Sequence, residues 1–487
     1  MMGKIYARAL NVKIWLGKED KEPPDFTASL GLGTLNSVHI GASLGLGTMN
    51  SVHIGAYGRI PISLSFIAQA LRNASGPKNR LAAIRPMEDS AHRNVAYGFP
   101  PPNAPEWDVV RDFFTNSWFE RVWVVQEAVL ASEATALIGD WEIEWAAIGQ
   151  AAVWFQAKGY AMPAVLATNP VDKVYATFGM AEELAYMEEN GFHELVEPNY
   201  TSKSVLDVYR DIARFLVIEH GNLAVLSHVG MSVLSDWPSW APDWRHDKAS
   251  NALSTKWSAG AYNTGGDQSL AIGISNDVNT LSLQGIETDT IAAYGDRLAS
   301  YGFGYVTYQE EIDFVKMAWA LFMQRPLDTS ASDTDDGVAN TFIHTLTAGL
   351  SNTNKLASED PTYQADALYW FAQHAPHMLP GISFSQRLKW SIKQRPDPGR
   401  FHEAFVRACV DRRFFVTRDG SMGIGPDAMK QGDVIVVLFG GRVPYLLRAL
   451  DTGYRFLGEC YVPGLMDGEA VRTWKDEGSK RVFFELV

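Results

Sequence analysis

The run SWFERVWVVQEAVLAS, residues 117 to 132, restricts the possible folds more than any other part of the chain. Its apolar core, Val122 to Ala131, encloses a single acidic residue, Glu127. A charge enclosed in apolar surroundings is expensive unless it is paired or used. The run predicts a helix, which sets Trp123 and Glu127 on one face, four residues apart, with Arg121 and Gln126 as neighbours. Two readings of Glu127 follow: a buried glutamate held by Arg121 or by backbone donors, or an acid retained for chemistry.

A core around that run requires apolar material, and the chain has it. Of 487 residues, 46% are hydrophobic and 12% aromatic, enough for two to four domains. The net charge of -14, from 42 basic and 56 acidic residues, argues against general nucleic-acid binding, which needs concentrated Lys and Arg. Only Cys409 and Cys460 are present, which suits a reducing compartment and excludes a disulfide framework or a thiolate zinc cluster; one bridge between them stays open. Lys4, Arg8 and Lys13 interrupt the N-terminal apolar residues, so there is no clean signal-peptide core. Nowhere do 18 apolar residues run together, so no membrane span is expected and the cytoplasm is the default location.

Punctuation and periodicity divide the chain into an α/β region (1–160), a mixed, mainly helical region (161–395) and a small antiparallel β module (396–487). In the first, SLGLGTLNSVHIGA at 29–42 returns at 43–56 with Leu35 replaced by Met49. Two copies are too few for a solenoid, and no phosphate-binding pattern completes the glycines, so the duplication reads as a loop. Residues 60–71 read as a helix. Trp107, Val110, Phe114 and Trp118 follow helical spacing as a core stripe. ATALIGDWEIEW reads as two strands joined at Gly139 and Asp140.

In the second region, Leu206, Tyr209, Ile212 and Leu216 form one helical stripe. PSWAPDW, 238 to 244, reads as a rigid corner pinned into a core by Trp240 and Trp244. Strand-like segments at 269–274, 279–286 and 288–293 precede helical patterns near 306–324, 338–350 and 361–374, with 327–338 as an exposed linker. The third region opens with a helix at 401–410. Its strands RRFFVT, DVIVVLF, VPYLLRAL and YRFLGECYV are separated by glycine turns, as in a partly open barrel.

No HExxH, Walker or EF-hand pattern occurs, and the histidines show no metal-ligand spacing. GASLG at 41–45 lacks the strand and helix of a nucleophile elbow around Ser43. His374 and His377 have no third ligand nearby, and Cys409, conceivable as a partner of His402, reads better as a core residue. Asp433, Asp467 and Glu469 lie beside glycines and read as turn chemistry.

In order along the chain, IYARALNVKIWLG, SWFERVWVVQEAVLA, IGDWEIEW, DKVYATFGMA, PNYTSKSVLDVYRDIA, PSWAPDW and the segment from RRFFVT to GECYVPGLMDGEA resemble fungal heterokaryon-incompatibility (HET) domain proteins. The resemblance implies a HET domain followed by its usual extension and C-terminal module, acting in non-self recognition and programmed cell death through a protein partner or self-association. It implies no cofactor. It also implies a partial α/β fold like that of Toll/interleukin-1 receptor (TIR) domains, some of which cleave NAD with a glutamate in W-x-x-x-E. Trp123 to Glu127 has that spacing, which makes Glu127 the candidate catalytic residue and NAD the substrate under that alternative. The family's early S-Y-x-W-G-like and W-I-D-x-x-C-I-N-Q-like motifs do not occur, so the resemblance is to an N-terminally truncated HET domain.

Overall fold

The computed structural model describes residues 12–16, 59–75, 98–100, 104–114, 116, 118, 133–138, 141–157, 169–178, 193–221, 223–229, 237–245, 252–253, 261–299, 306, 308–324, 335–360, 362–375, 396–478 and 481–487. Arg121, Trp123, Gln126, Glu127, the duplicated segment 29–56 and His377 lie outside them. Contacts divide the chain into two compact units, Met1–Glu194 and Leu195–Val487.

In the first unit, β1 (Val12–Trp15), β2 (Ala134–Ile138) and β3 (Trp141–Glu144) form a three-stranded sheet in that order. β2 and β3 are the antiparallel hairpin expected from ATALIGDWEIEW, closed by the pair Ile138 and Trp141. β1 lies parallel to β2, Ile14 opposite Ala136, a pairing across a long crossover that no local pattern announces. Helices α1 (Arg59–Ser75), α2 (Glu106–Phe114) and α3 (Trp145–Ala157) share one core with this sheet, built on Ile14, Phe66, Ile67, Phe114, Ala136, Ile143, Ile148 and Phe155. The stripe Trp107, Val110, Phe114, Trp118 does not stay helical to its end. Asn116 breaks it: its side chain donates to Leu16 O (2.7 Å) and accepts from Trp118 N (2.9 Å), so Trp118 reaches the core from a turn.

The second unit begins with α4 (Val205–His220), whose stripe is set by a capping box between Ser204 and Asp207 and ended by Gly221 in the left-handed region. The two strand-like segments at 279–293 are one strand, β4 (Leu281–Arg297). Helices α5 (Tyr308–Met323), α6 (Asp335–Leu346), α7 (Tyr363–His374) and α8 (Pro398–Cys409) follow. Then come β5 (Arg412–Thr417), β6 (Met422–Pro426), β7 (Val434–Leu438), β8 (Tyr445–Ala449), β9 (Tyr454–Glu459), α9 (Glu469–Glu477) and β10 (Val482–Leu486). β6, α9 and β10 carry no pattern strong enough to have been read in advance.

Five of the seven strands of this unit, β4, β7, β8, β9 and β10, close on themselves, and β5 and β6 extend the sheet from the second half of β4. The order of all seven is β10-β9-β8-β7-β4-β5-β6, and β10 also pairs with β4. β4 serves three partners: β10 along Leu281–Gly285, β7 along Gly285–Thr290 and β5 from Ile291 to Arg297. Register shifts after Glu287, Ile291 and Tyr294 bend it from one partner to the next. A residue larger than glycine could not sit at the first change of partner, because a Cβ on Gly285 would lie 2.5 Å from Val437 O. Inside the barrel, Ile291, Phe415, Met429, Ile435, Leu446, Leu457, Cys460 and Val462 form a buried cluster. Trp474 and Val471 of α9 cover Ile286, Val437 and Phe439. Fully closed strands leave no exposed edge between β4 and β10.

Candidate functional site

Of the seven residues put forward for the site and its motifs, Arg121, Trp123, Gln126 and Glu127 lie outside the described residues, and Trp118, Trp240 and Trp244 can be placed. Trp118 is buried and meets Trp145 edge to face at 4.9 Å, so it is a core residue of the first unit. Trp240 is 0% exposed and its Nε1 donates to Asn279 O at 2.7 Å. Trp244 is half-buried against Tyr209, with ring centroids 5.0 Å apart. All three pack an aromatic body against the protein, and the polar tip of Trp240 finds an acceptor.

The corner at 237–245 is built from short-range bonds. Trp237 Nε1 donates to Ala241 O at 2.8 Å, and Ala241 N to Pro238 O at 3.0 Å. Asp243 accepts from Arg245 at Nε (2.7 Å) and Nη2 (2.6 Å), and that guanidinium lies 4.7 Å over the Trp237 ring. Its outward bonds go to the barrel. Ser239 N donates to Val487 O at 3.0 Å, the Ser239 hydroxyl donates to the same oxygen, and Phe456 N donates to Ser239 Oγ at 2.8 Å. Ser239 therefore holds the end of β10 beside β9, at the seam where those two strands have only the pair Leu486 and Tyr454.

A second polar group lies deeper. Glu459, 6% exposed at the end of β9, accepts from the Ser227 hydroxyl and, through Oε2, from Leu253 N at 2.7 Å. Arg412, 2% exposed at the start of β5, donates to Ala408 O at 2.9 Å. Burial pushes the Arg412 guanidinium down from its ordinary value, and the fields of Glu459 and Cys409 act the other way. Beside it, the C-terminal carbonyls of α6 are collected by side chains. Cys409 Sγ donates to Leu346 O (3.1 Å), the Tyr262 hydroxyl to Ala348 O, and Arg407 to Ser351 O (2.7 Å) and Asn352 O (3.1 Å). These donors fix a turn in which Ala348 takes φ 50° and Gly349 φ 68°; the residue Ala348 would otherwise avoid that region.

This arrangement holds segments together. Both Glu459 oxygens are engaged by protein donors, so the carboxylate is a clamp between the 224–228 turn, Leu253 and the barrel. The thiols are not nucleophiles: burial pushes both Cys409 and Cys460 well above the usual thiol range, and both are free cysteines. His402 Nε2 is bonded to Glu311 Oε2 at 2.7 Å, while Cys409 is bonded to a carbonyl. His374 meets Tyr308 edge to face at 4.9 Å and lies tilted against Trp370 at 5.1 Å. Asp433 accepts from Arg448 and from Lys430 N, and Glu469 from Asp467 N, both as turn and strand anchors. Among the described residues, no group of three His, Cys, Asp or Glu is placed to hold a metal ion, and no helix is long and apolar enough to cross a membrane.

Glu459 escaped the sequence reading although its signal matched that of Glu127: one acid inside an apolar strand, YRFLGECYV. Ser239 and Ser227 gave no signal, because a serine in a loop is ordinary until its partners are known.

The barrel has relatives. Residues 385–484 match the Het-6 β-barrel domain. The Heterokaryon incompatibility protein 6, OR allele, of Neurospora crassa is 37% identical over 76 residues, which cover 15% of this chain and only 11% of that protein. No solved structure matches. Strand β4, at 281–297, lies outside the matched residues and yet pairs with three of the barrel's strands. The C-terminal part of the chain is therefore similar to the Het-6 β-barrel domain of heterokaryon-incompatibility proteins, with β4 added to that barrel from upstream of the matched residues.

Proposed function

We propose that this protein acts in fungal non-self recognition, where its first unit drives growth arrest or cell death by associating with a protein partner or with its own copies in the cytoplasm. The Het-6 β-barrel at 385–484 is the observation that supports this reading. The buried clamps of the second unit support a binding and regulatory part for the barrel, since their polar groups are spent on holding segments together. Regulated expression of the full chain in a fungal host tests it. Wild type is expected to arrest growth, and Arg121→Ala and Trp123→Ala are expected to relieve the arrest; full toxicity in both variants would count against the reading.

The spacing of Trp123 and Glu127 supports a second reading, a TIR-like fold that cleaves NAD, with the glutamate stabilising positive charge at the ribose carbon as nicotinamide departs. Purified protein incubated with NAD should then release nicotinamide, and a folded Glu127→Gln variant should not. Equal release from both would remove Glu127 from the chemistry.

A further inference from the structure

We propose that Glu106 makes the docking of α2 on α1 a weak seam, along which the first unit opens when it engages its partner. Helix α2 buries Glu106, Val109, Val110 and Phe114. Those positions share one helical face, and that face belongs against α1, whose Ser63 hydroxyl reaches Val109 O. Three of the four are apolar, as a docking face requires. Glu106 is only 4% exposed, and its Oε2 has no hydrogen-bond partner.

Among the described side chains of α1 and α2, both cations are committed elsewhere. Arg72 of α1 donates to Gln69 Oε1 at 2.6 Å, and Arg111 of α2 to Asp108 Oδ1 at 2.6 Å. A side chain in the first turn of a helix can gain from the helix dipole, but that gain is smaller than the cost of leaving a buried polar oxygen without a donor. The α1 and α2 contact is thus held together by its apolar residues against a penalty that undocking removes, because water then solvates that oxygen. Local opening concentrates where such penalties are stored.

The position of the seam gives it a consequence. Helix α2 ends at Phe114, and the run SWFERVWVVQEAVLAS begins at Ser117, so α2 is the described helix that precedes the run carrying Glu127 in sequence. This functional half rests on the association reading above, whereas the seam itself does not.

Hydrogen exchange on the full-length protein, read at residues 106–114 and 63–71, tests both halves beside the toxicity assay. Glu106→Met removes the penalty and should slow exchange in both segments roughly tenfold, with Glu106→Gln, which keeps a polar group at the same place, slowing it less. Unchanged or faster exchange in the two variants overturns the seam. Toxicity should fall in Glu106→Met as exchange slows; full toxicity with slowed exchange overturns the link to function. A non-toxic wild-type chain overturns that functional half together with the association reading, while the exchange result still decides the seam.

Discussion

At the scale of single residues, the second unit depends on buried polar groups whose partners are distant in sequence. Glu459 is the sharpest case: replacing it with Ala leaves Leu253 N and the Ser227 hydroxyl without their acceptor and strips a compensating charge from around Arg412. We expect Glu459→Ala to cost about 3–5 kcal/mol, measured by urea unfolding of the barrel unit, because a buried charge loses its counterpart. His344 sets a pH dependence. Burial holds its imidazole below the ordinary value of about 6.5, so the unfolded chain takes up that proton first as pH falls. Its contribution to stability is present above that ordinary value and is lost as pH falls through it toward the lowered folded value. The melting temperature should therefore fall between neutral pH and mildly acidic pH, and His344→Gln should flatten that part of the profile; an unchanged slope in the variant would discount His344. The residue-level contrast with the sequence is instructive. A lone acid in an apolar run is visible in a sequence, as Glu127 and Glu459 both are, but whether it is clamped or available depends on donors such as Leu253 N that no spacing reveals.

At the scale of elements, local chemistry fixed more. The helix at 205–220 follows from an apolar stripe, a capping serine and a terminal glycine, all legible in order. PSWAPDW was legible as a corner because two prolines deny it a helix and two tryptophans demand burial. What the corner holds was not legible. Trp240→Ala should destabilise the second unit by about 3–5 kcal/mol, as expected for a fully buried large aromatic. Ser239→Ala should be milder, about 1–3 kcal/mol, and should act locally by accelerating amide exchange in β10 and at Phe456, since its hydroxyl bonds both. Uniform exchange changes across the unit would argue that Ser239 does not latch the seam. Elements also failed in the reading where geometry had to override pattern. Two strand-like segments became the single β4 because bulges let one strand bend between partners, and a helical stripe ended at Phe114 because Asn116 bonds Leu16 O across the unit.

At the scale of the whole molecule, the barrel is not contained in its matched residues. β4 lies between β10 and β7 in its first half and pairs with β5 in its second, from a position before four helices. Residues 385–487 expressed alone should consequently fail to give a cooperative thermal transition, while Leu195–Val487 should give one; dispersed amide NMR signals from the shorter fragment would contradict the closure described here. Strand content, the helical stripes, the corner, the absence of any metal-ligand spacing and the family resemblance were all determined by the sequence, because each rests on neighbours a few residues apart. Only the tertiary structure decided the parallel pairing of β1 with β2, the closure of the barrel by β4 and β10, the clamp on Glu459 and the buried, unpartnered oxygen of Glu106. Those features depend on which distant donors and strands arrive at one place, and a periodicity read along the chain carries no record of that meeting.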